Sequence, residues 1–550
     1  TASFLAGYPG SPLAGLNFEI ENAKNLVPDL PIVHRPLLNE EHGATAVMGS
    51  QLAAEQQDCA FDGIVGFWYG KAPGLDRAGD ALRHAVFTGT SRLGGAVAIV
   101  GDDPAAKSST LPSSSDATLF DLHMPILYPG DVQEILTLGM HAVSLSRLTG
   151  AWTALKVVDA VADGSGTIDL ESTIIEPIVP NLEIEGVQYE HRPDAKLLPP
   201  NNLALEKDLR VVRSELVRRY TVANNLNPTI TNPPDAWIGI IASGFTYHEL
   251  RHALHSIGLR NLNDIENAGI RLLHLQLPVP FDPQNIRNFS MGLEEILVIE
   301  EKNPTAEWLV KDALYGSANQ PRVLGKTYPD GRPLMPSHGI LDADTMVQGL
   351  FDRLSLRAAD RVTPPKVGNK QRQLIPLDTN RSPYFCSGCP HNSSTKVPED
   401  SLIGAGIGCH TMVLLMDEEQ VGNIAGVTAM GNEGMQWVGM EPFVGREHFI
   451  QNIGDGTYFH SGQLAIASAV AAKSNMTFKL LYNGTIAMTG GQDPEGGLGV
   501  REITQIMLAQ GVKQIIVTTE DLSRYKESNF PKEVRIWGRE RIVESQKSLS

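Results

Sequence analysis

The segment from Gly454-Asp455-Gly456 to Asn483 limits the possible folds more than any other part of the sequence. Asn483 lies 28 residues after Asp455, and an apolar helix pattern followed by a strand pattern separates them. This succession predicts two neighbouring parallel strands whose carboxyl ends carry Asp455 and Asn483, at the edge where α/β sheets bind ligands. Carboxylate and amide oxygens at that edge suit Mg²⁺, and glycines beside a helix N-terminus suit a diphosphate. A plain strand-to-helix turn is the alternative for Gly-Asp-Gly taken alone.

The same alternation of apolar strands and helices recurs along the chain and predicts a multidomain α/β protein with parallel sheets. Examples are the strand pattern within Gly94–Asp103 and the helix pattern at Val132–Leu148. Proline-rich stretches interrupt this alternation and indicate connections outside any core. The predicted segments are a first α/β unit at 1–160, a connector at 161–234, a second α/β unit at 235–357, a linker at 358–384 and a third α/β unit at 385–550.

Composition excludes some classes of function. The chain has 550 residues, 42% of them hydrophobic, as expected for a soluble protein with several domains. A formal net charge of −18 argues against general nucleic-acid binding, which needs a basic surface. No uninterrupted apolar run reaches the roughly 18 residues of a membrane span. The chain starts at Thr1 without Met or a basic leader, so we expect a fragment of a longer protein rather than a signal peptide.

Three of the four cysteines fall close together in the sequence, as Cys386, Cys389 and Cys409. Grouped thiols of this kind predict a metal or cluster site in a reducing cytoplasm rather than disulfides. A Cys-x2-Cys pair with a later cysteine fits an iron–sulfur cluster, or a structural zinc completed by His391 or His410. The spacing alone leaves both open.

Several motifs resemble one enzyme family. Gly454-Asp455-Gly456 with Asn483 is similar to the thiamine diphosphate motif, and Asn483–Gln492 resembles the corresponding stretch of the 2-oxoacid:ferredoxin oxidoreductases. Other runs resemble the indolepyruvate ferredoxin oxidoreductases of that superfamily, especially the long, fused bacterial members. These runs, which together span nearly the whole chain, are Gly7–Pro12, Phe67–Gly74, Gly101–Asp103, Lys107–Thr110, Ser243-Gly244, Glu300–Lys302, Phe385–His391, Gly406–Cys409, Gly431–Gly434, Trp437–Gly439 and Gly454–Gly462.

The resemblance implies a role for each α/β unit. Residues 1–160 are expected to form a pyrimidine-binding thiamine diphosphate domain, 235–357 a transketolase C-terminal-like domain, and 385–550 the domain that binds the diphosphate and Mg²⁺. The implied Mg²⁺ ligands are Asp455, Asn483 and the backbone oxygen of Thr485. The implied cofactor-binding residues are these three with Gly431, Glu433, Gly434, Gly454 and Gly456.

Thiamine chemistry also needs a carboxylate that hydrogen-bonds to the aminopyrimidine. The segment Asn39–Ala44 contains two acids, and the family pattern of Glu, one residue, then Gly-Ala assigns the catalytic role to Glu41. We expect Glu41 to be buried, because burial supplies the pKa tuning that the role requires. Glu40 is expected only to stabilise a helix N-terminus.

Further residues are candidates for contact with substrates. Ser11 aligns with a hydroxyl residue that contacts the substrate near the thiazolium in this superfamily, and an ordinary turn is an equal alternative. Lys71, Lys107 and Arg35 are cationic candidates for the 2-oxoacid carboxylate or the coenzyme A phosphates. Most residues of that type are solvated surface groups.

The resemblance favours a [4Fe–4S] cluster on Cys386, Cys389 and Cys409. Relatives have a fourth cysteine after the thiamine domain, whereas no cysteine follows Cys409 here. We therefore expect the fourth ligand to lie outside this chain. Cys59 is a poor substitute, because it belongs to another domain and is more simply explained as a small buried residue.

The implied activity is oxidative decarboxylation of an aryl 2-oxoacid, such as indolepyruvate, to CO₂ and an acyl-CoA, with electrons passing through the cluster to ferredoxin. The expected partners are a 2-oxoacid, coenzyme A and ferredoxin, in a cytoplasmic homodimer. One alternative is a thiamine-dependent decarboxylase or carboligase without electron transfer. Another is a non-catalytic cofactor-binding subunit, but this needs a broken motif, and Glu41, Asp455 and Asn483 are all present.

Overall fold

A computed structural model describes residues 1–365 and 384–550, and contacts divide the chain into two compact units, Thr1–Asn369 and Lys370–Ser550. Strands and helices alternate in both units and the main sheets are largely parallel, so the predicted α/β fold class is confirmed. Residues 366–383 of the predicted linker 358–384 lie outside the described residues. Within the described ranges, no helix is both long and apolar enough to cross a membrane.

The first unit begins with a sheet of six parallel strands in the order β2-β1-β3-β4-β6-β5. Its central strands are buried along almost their whole length, as is typical of parallel strands covered on both faces. The strands are Ala2–Gly7 (β1), Ile32–His34 (β2), Ile64–Lys71 (β3), Gly95–Asp102 (β4), Ile126–Leu127 (β5) and Trp152–Val158 (β6). The helices are Leu16–Leu26 (α1), Glu40–Ala53 (α2), Ala72–Arg77 (α3), Gly79–Thr88 (α4), Asp116–Asp121 (α5), Val132–Thr149 (α6) and Asp159–Ala162 (α7).

The predicted connector, residues 161–234, contributes a helix to the core of this sheet. Leu209, Val217 and Tyr220 are buried among the apolar residues of the sheet, and the buried Arg213 donates hydrogen bonds to two backbone carbonyls there. The expectation that this segment stays outside the core is therefore wrong for its helix. The elements are Leu170–Thr173 (α8), the hairpin Glu183–Ile184 (β7) and Val187–Gln188 (β8), Asn201–Lys207 (α9), a π-helical turn at Asp208–Arg213, and Ser214–Ala223 (α10).

A second sheet in the same unit has five strands in the order β13-β12-β10-β11-β9, and β9 runs antiparallel to β11. Backbone hydrogen bonds from Ile126 to Val279 and from Tyr128 to Gln276 join it to the first sheet. The strands are Thr229–Thr231 (β9), Ile238–Ser243 (β10), Ile270–Leu275 (β11), Glu295–Ile299 (β12) and Arg322–Leu324 (β13). The helices are Gly244–Ser256 (α11), Leu262–Asn267 (α12), Pro283–Ser290 (α13), Thr305–Leu314 (α14) and Ala343–Ala358 (α15).

The second unit contains a parallel four-stranded sheet in the order β15-β14-β16-β17 and a separate parallel pair, β18-β19. The strands are Leu402–Ala405 (β14), Asn423–Val427 (β15), Phe449–Gly454 (β16), Met476–Leu481 (β17), Ile515–Thr519 (β18) and Val534–Gly538 (β19). The α-helices are His391–Ser394 (α16), Glu418–Val421 (α17), Met435–Met440 (α18), Asp455–Thr457 (α19), Gln463–Ala472 (α20), Val500–Ala509 (α21) and Ile542–Lys547 (α22). Short 3-10 helices lie at Cys409–Leu415, Glu441–Phe443, Ala487–Thr489, Leu522–Arg524, Glu527–Asn529 and Arg539–Arg541.

The helix after β16 is longer than the sequence pattern predicts. It starts at Asp455 with α19 and continues through a π-helical turn at Tyr458–Gly462 into α20, whereas the apolar pattern predicts only Gly462–Ala472. Its first turns carry polar residues that an apolar pattern does not register. The consequence is that the positive end of the helix lies directly at Asp455.

Candidate active site and cofactor-binding residues

Loops that follow four parallel strands meet at one edge of the sheet in the second unit. Strand β14 leads into Gly406–His410, β15 into Gly431–Gly434, β16 into Asp455 and β17 into Asn483. Because the strands are parallel, these loops all leave the carboxyl edge, where α/β sheets bind ligands. The last residues of β16 and β17 pair directly, which places Asp455 and Asn483 on adjacent strand ends, as predicted.

Asp455 links the ends of these two strands. The residue is 3% exposed. Its Oδ2 accepts hydrogen bonds from the backbone N–H groups of Asn483 at 2.9 Å and Gly484 at 2.6 Å, and its Oδ1 accepts one from Gly456 at 2.9 Å. A carboxylate offers about four lone-pair sites, so Oδ1 keeps a site for a cation.

Asn483 follows β17, and its backbone N–H is bound by this carboxylate. Its side chain is exposed, and its Oδ1 accepts a hydrogen bond from the Thr485 N–H at 2.9 Å. Gly484 has φ of +74°, a conformation that favours glycine and lets the chain turn back towards Asp455. This edge of the sheet offers two side-chain oxygens, backbone N–H groups and a helix N-terminus. Together these groups fit Mg²⁺ and a diphosphate.

A buried polar pair, Glu433 and His410, lies at the same edge. Glu433 Oε1 is 3.8 Å from His410 Nε2, and Glu433 Oε2 accepts a hydrogen bond from the Gly431 N–H at 2.8 Å. Among the described residues, Oε1 and both His410 ring nitrogens have no hydrogen-bond partner. A Cβ at Gly406 would lie 2.5 Å from Oε1, so glycine permits the carboxylate to approach the backbone. Buried polar atoms are rarely left without partners, so this pair fits a polar ligand at the edge.

The three grouped cysteines lie near one another and near Asp455. Cys386 and Cys389 occupy a turn closed by a hydrogen bond from the Cys389 N–H to the Cys386 carbonyl at 2.9 Å. Burial raises the pKa of the Cys409 thiol, and the charges of Cys389, Cys386 and Asp455 raise it further. Thiolates that repel one another in this way are stabilised by a bound cation.

A closed zinc site with His391 or His410 is not preformed. In the described ranges, no cysteine belongs to a group of three metal-ligand atoms within 4.8 Å of one another. His391 is buried with its Nδ1 3.2 Å from Ser394 Oγ, and His410 lies beside Glu433.

In the first unit, the buried acid of the segment Asn39–Ala44 is Glu40. Glu40 is 7% exposed, whereas the side chain of Glu41 is 43% exposed and forms an ion pair with Arg77 at 3.4 Å. The expectation that Glu41 is the buried acid is therefore corrected. Both acids lie in the first turn of α2, where successive side chains point about 100° apart, so only one of them can face the sheet.

Glu40 lies among polar groups of strand β3 and its neighbours. The Trp68 Nε1–H donates a hydrogen bond to the Glu40 carbonyl at 2.9 Å, and a Cβ at Gly74 would lie 2.7 Å from Glu40 Oε1. Burial raises the pKa of Tyr8, and the charge of Glu40 raises it further. Burial lowers the pKa of Lys71, and Glu40 opposes that effect. A carboxylate, a phenol and an ammonium group therefore lie close enough to influence one another.

Ser11 lies in the loop after β1, and Lys71 is the last residue of β3, so both are at the carboxyl edge of the first sheet. Ser11 Oγ is 2.6 Å from Ser108 Oγ. The Asp103 carboxylate shapes the loop that carries Ser108, because it accepts hydrogen bonds from the backbone N–H groups of residues 107–109 at 2.7–2.9 Å. A Cβ at Gly10 would lie 3.0 Å from Lys71 Cδ, so the Lys71 stem packs against the loop that also contains Ser11.

The other predicted residues are exposed or have partners of their own. Lys107 forms an ion pair with Asp163 at 2.6 Å, and Arg35 is exposed. Cys59, predicted to be buried, is only half-buried, and its Sγ lies 3.2 Å from the Phe61 carbonyl.

Two family models match parts of the chain. The model described as "Indolepyruvate oxidoreductase domain" matches residues 229–364, and the model described as "Thiamine pyrophosphate enzyme, C-terminal TPP binding domain" matches residues 406–524. The second range contains all four loops at the edge around Asp455.

Curated relatives agree with these models. The chain is 26% identical over 536 residues to the indolepyruvate oxidoreductase subunit IorA of Methanothermobacter thermautotrophicus, with 92% of this chain and 77% of the relative covered. Identity to the subunit of the same name is 24% in Archaeoglobus fulgidus, covering 93% and 76%, and 25% in Pyrococcus abyssi, covering 78% and 65%. These relatives and the two family models support an indolepyruvate oxidoreductase-type thiamine protein. It spans 65–77% of the length of these relatives.

Two solved structures show a more distant likeness to the chain. One is a 2-oxoglutarate:ferredoxin oxidoreductase from Magnetococcus marinus with 2-oxoglutarate, coenzyme A and succinyl-CoA bound, at a TM-score of 0.42 and 15% identity over 64% of this chain and 62% of that one. The other is a split-gene transketolase, at a TM-score of 0.38 and 13% identity over 64% of this chain and 92% of that one.

Sequence reasoning missed four features of these clusters. Tyr8 and Gly74 lie within motifs already recognised in the sequence, so their position in those motifs is the signal that could have found them. The pairing of His410 with Glu433 and the burial of Glu40 have no comparable local signal, because they depend on how separate segments pack.

We predict that Asn483→Ala weakens Mg²⁺-dependent binding of thiamine diphosphate by about tenfold or more, the loss expected from roughly 1.4 kcal/mol of contact energy. The exposed side chain can be removed without unpairing a buried group, whereas Asp455→Ala also leaves three N–H groups without their acceptor. Calorimetric titration measures the effect, with the exposed Asn529→Ala as control. Unchanged affinity in folded Asn483→Ala contradicts the assignment.

Proposed function

We propose that this chain carries the thiamine-dependent chemistry of an enzyme that oxidatively decarboxylates an aryl 2-oxoacid of the indolepyruvate kind. The bond between the carboxylate carbon and the keto carbon breaks and CO₂ leaves. The acyl carbon forms a thioester with coenzyme A, whose thiol gives up its proton. The released electron pair passes, one electron at a time, through an iron–sulfur cluster to ferredoxin. The names of the curated relatives support the substrate class.

The observation that carries this proposal is the pairing of Asp455 with Asn483 on adjacent strand ends, inside the range matched by the thiamine pyrophosphate model. When bound, thiamine diphosphate supplies an electron sink that stabilises the negative charge left by decarboxylation. Asp455, Asn483 and the backbone oxygen of Thr485 are proposed to hold Mg²⁺. Gly431, Glu433, Gly434, Gly454 and Gly456 are proposed to line the cofactor site, as the unpaired Oε1 of Glu433 favours.

Glu40 is the better candidate for the carboxylate that exchanges a proton with the aminopyrimidine. It is buried, and both Tyr8 and Lys71 respond to its charge, whereas Glu41 is half-exposed and paired with Arg77. A carboxyl group that exchanges protons with a bound cofactor must be held in a fixed position, and burial against β3 fixes Glu40. We therefore assign to Glu40 the role that the sequence pattern gives to Glu41.

Ser11, Ser108 and Lys71 are proposed to contact the 2-oxoacid. The two hydroxyl groups hydrogen-bond to each other, which leaves one O–H free to donate to an oxoacid oxygen. The Lys71 ammonium adds a positive charge that suits the substrate carboxylate. Lys107 is a weaker candidate, because Asp163 already neutralises its charge.

Cys386, Cys389 and Cys409 are proposed to hold a [4Fe–4S] cluster whose fourth ligand is outside this chain. The influence of Asp455 on the pKa of Cys409 indicates that the thiols lie near the proposed diphosphate site, which shortens the path for electrons leaving the cofactor. Without such a cluster, the remaining residues support only decarboxylation or carboligation. Electron transfer to ferredoxin therefore depends on these three thiols.

Glu40→Gln should bind thiamine diphosphate with nearly normal affinity but slow hydrogen–deuterium exchange at the thiazolium C2 by roughly 100-fold or more, since positioned acid–base groups contribute about 10²–10⁴-fold. Glu41→Gln is the matched control and should exchange within a few-fold of the unmodified chain. Nuclear magnetic resonance of quenched samples measures the exchange. A defect confined to Glu41→Gln would return the role to Glu41.

Iron and sulfide added anaerobically should load the unmodified chain with an incomplete, oxygen-sensitive cluster, because it has three of the usual four thiolate ligands. Cys409→Ser should lose most of the bound iron, and Cys59→Ser should lose none. Metal analysis and electron paramagnetic resonance provide the readout. Stoichiometric zinc without iron, or an equal loss in Cys59→Ser, contradicts electron transfer and favours the decarboxylase.

A further inference from the structure

Three side chains that commonly bind metals converge in the first unit, and the proposed function uses none of them. Glu134 comes from α6, His248 from α11 and His274 from β11. One ligand atom of each lies within 4.8 Å of the other two, and no other such group of three is found in the part of the chain that the structure describes. These residues are called the Glu134–His248–His274 cluster below.

The distances within the cluster are close to those of a tetrahedral metal site. His248 Nε2 is 3.4 Å from Glu134 Oε2, and His274 Nδ1 is 3.9 Å from Glu134 Oε1. Zinc binds nitrogen and oxygen at about 2.0–2.2 Å, so ligand atoms at the corners of a tetrahedron lie about 3.3–3.6 Å apart. The two imidazole planes are nearly perpendicular, at 89°, so the rings approach from different directions.

Neighbouring groups hold the three side chains in place. Glu134 Oε2 accepts a hydrogen bond from the Gly130 N–H at 2.7 Å, and Gln276 donates one to Oε1 at 3.4 Å. Tyr247 stacks on His274 with ring centroids 3.8 Å apart. Gly130 also touches the His248 ring so closely that a Cβ there would overlap it. Outer contacts of this kind orient the ligands of metal sites.

An ordinary ion pair explains only part of this arrangement. Burial lowers the pKa of His248, but Glu134 and Asp131 together leave it above its usual value, as expected for an imidazolium paired with carboxylates. The ion pair between His248 and Glu134 does not explain the position of His274, which is 3% exposed and also faces Glu134.

The contacts of the two rings also favour a metal. His274 Nε2 is buried without a hydrogen-bond partner among the residues described, and His248 Nε2 has only its 3.4 Å contact with Glu134 Oε2. His274 Nδ1 lies beyond hydrogen-bond distance of Glu134 Oε1. A cation between the carboxylate and the two rings accounts for all three side chains, whereas the ion pair accounts for two.

We propose that the Glu134–His248–His274 cluster binds one divalent metal ion of the zinc class, because two imidazoles and one carboxylate are the donor set that Zn²⁺ prefers. Asp131, whose Oδ2 lies 4.0 Å from His248 Nε2, or a water supplies the fourth ligand. Because α6 packs on the first sheet and β11 belongs to the second, the ion joins the two sheets of this unit. The role is structural and independent of thiamine chemistry.

Titration of the chelator-treated chain with Co²⁺ and then Zn²⁺ tests this site. Co²⁺ bound by nitrogen and oxygen gives visible bands without the sulfur charge-transfer absorption that the grouped cysteines would produce, so the two sites are distinguishable. We expect one equivalent of Co²⁺ with the nitrogen–oxygen spectrum, displaced by Zn²⁺. Glu134→Gln and His248→Ala should each weaken Co²⁺ binding. Loss of a residue that only orients a metal ligand costs roughly 10- to 100-fold in affinity, so loss of a ligand should cost at least as much.

His252→Ala is the matched control, because His252 lies on the same helix, is 72% exposed and is not part of the cluster. It should bind Co²⁺ as the unmodified chain does. His274→Gln, which keeps a buried polar side chain of similar length, replaces His248→Ala if that variant does not fold. Equal affinity and spectra in Glu134→Gln and the unmodified chain, or Co²⁺ bound only with sulfur charge transfer, overturns the proposal. Loss of thiamine diphosphate binding bears only on the proposed function.

Discussion

The candidate site depends on the hydrogen bonds that the Asp455 carboxylate accepts. It accepts three backbone hydrogen bonds and so fixes the turn after β17 against the end of β16. The same residue begins the helix that follows β16, which brings the positive helix end to this point. A single buried side chain thereby determines where Asn483, the backbone N–H groups and the helix N-terminus lie. The cation and diphosphate chemistry proposed here follows from that arrangement.

The first unit uses the carboxyl edge of its sheet in a similar way. Asp103 shapes one loop through backbone N–H groups, and that loop places Ser108 beside Ser11. Glycines allow polar side chains to approach the backbone closely, as Gly74 does for Glu40. In both units a buried carboxylate packs closely against a glycine, Gly74 in the first and Gly406 in the second. A larger residue at either position would prevent this packing. Each edge can therefore hold polar groups in fixed positions before any ligand binds.

The sequence was informative where the signal is local. The strand and helix patterns predicted β4 and α6 closely. The 28-residue spacing predicted the adjacent strand ends of Asp455 and Asn483, because neighbouring parallel strands place such residues together. It failed where tertiary packing decides. Glu40 and Glu41 share one helical turn, and only the position of the sheet selects Glu40 for burial. The residues of the Glu134–His248–His274 cluster belong to three elements distant in sequence, so no spacing pattern in the sequence predicts the cluster.

The central claim is that the edge around Asp455 binds thiamine diphosphate through a divalent cation. Calorimetric titration of the unmodified chain with thiamine diphosphate, with Mg²⁺ and then with excess chelator, tests it most directly. We expect saturable binding of one cofactor per chain with Mg²⁺ and its loss on chelation, because the diphosphate is held through the ion that Asp455 and Asn483 bind. Saturable binding that survives chelation, or no binding with Mg²⁺ present, would contradict the account.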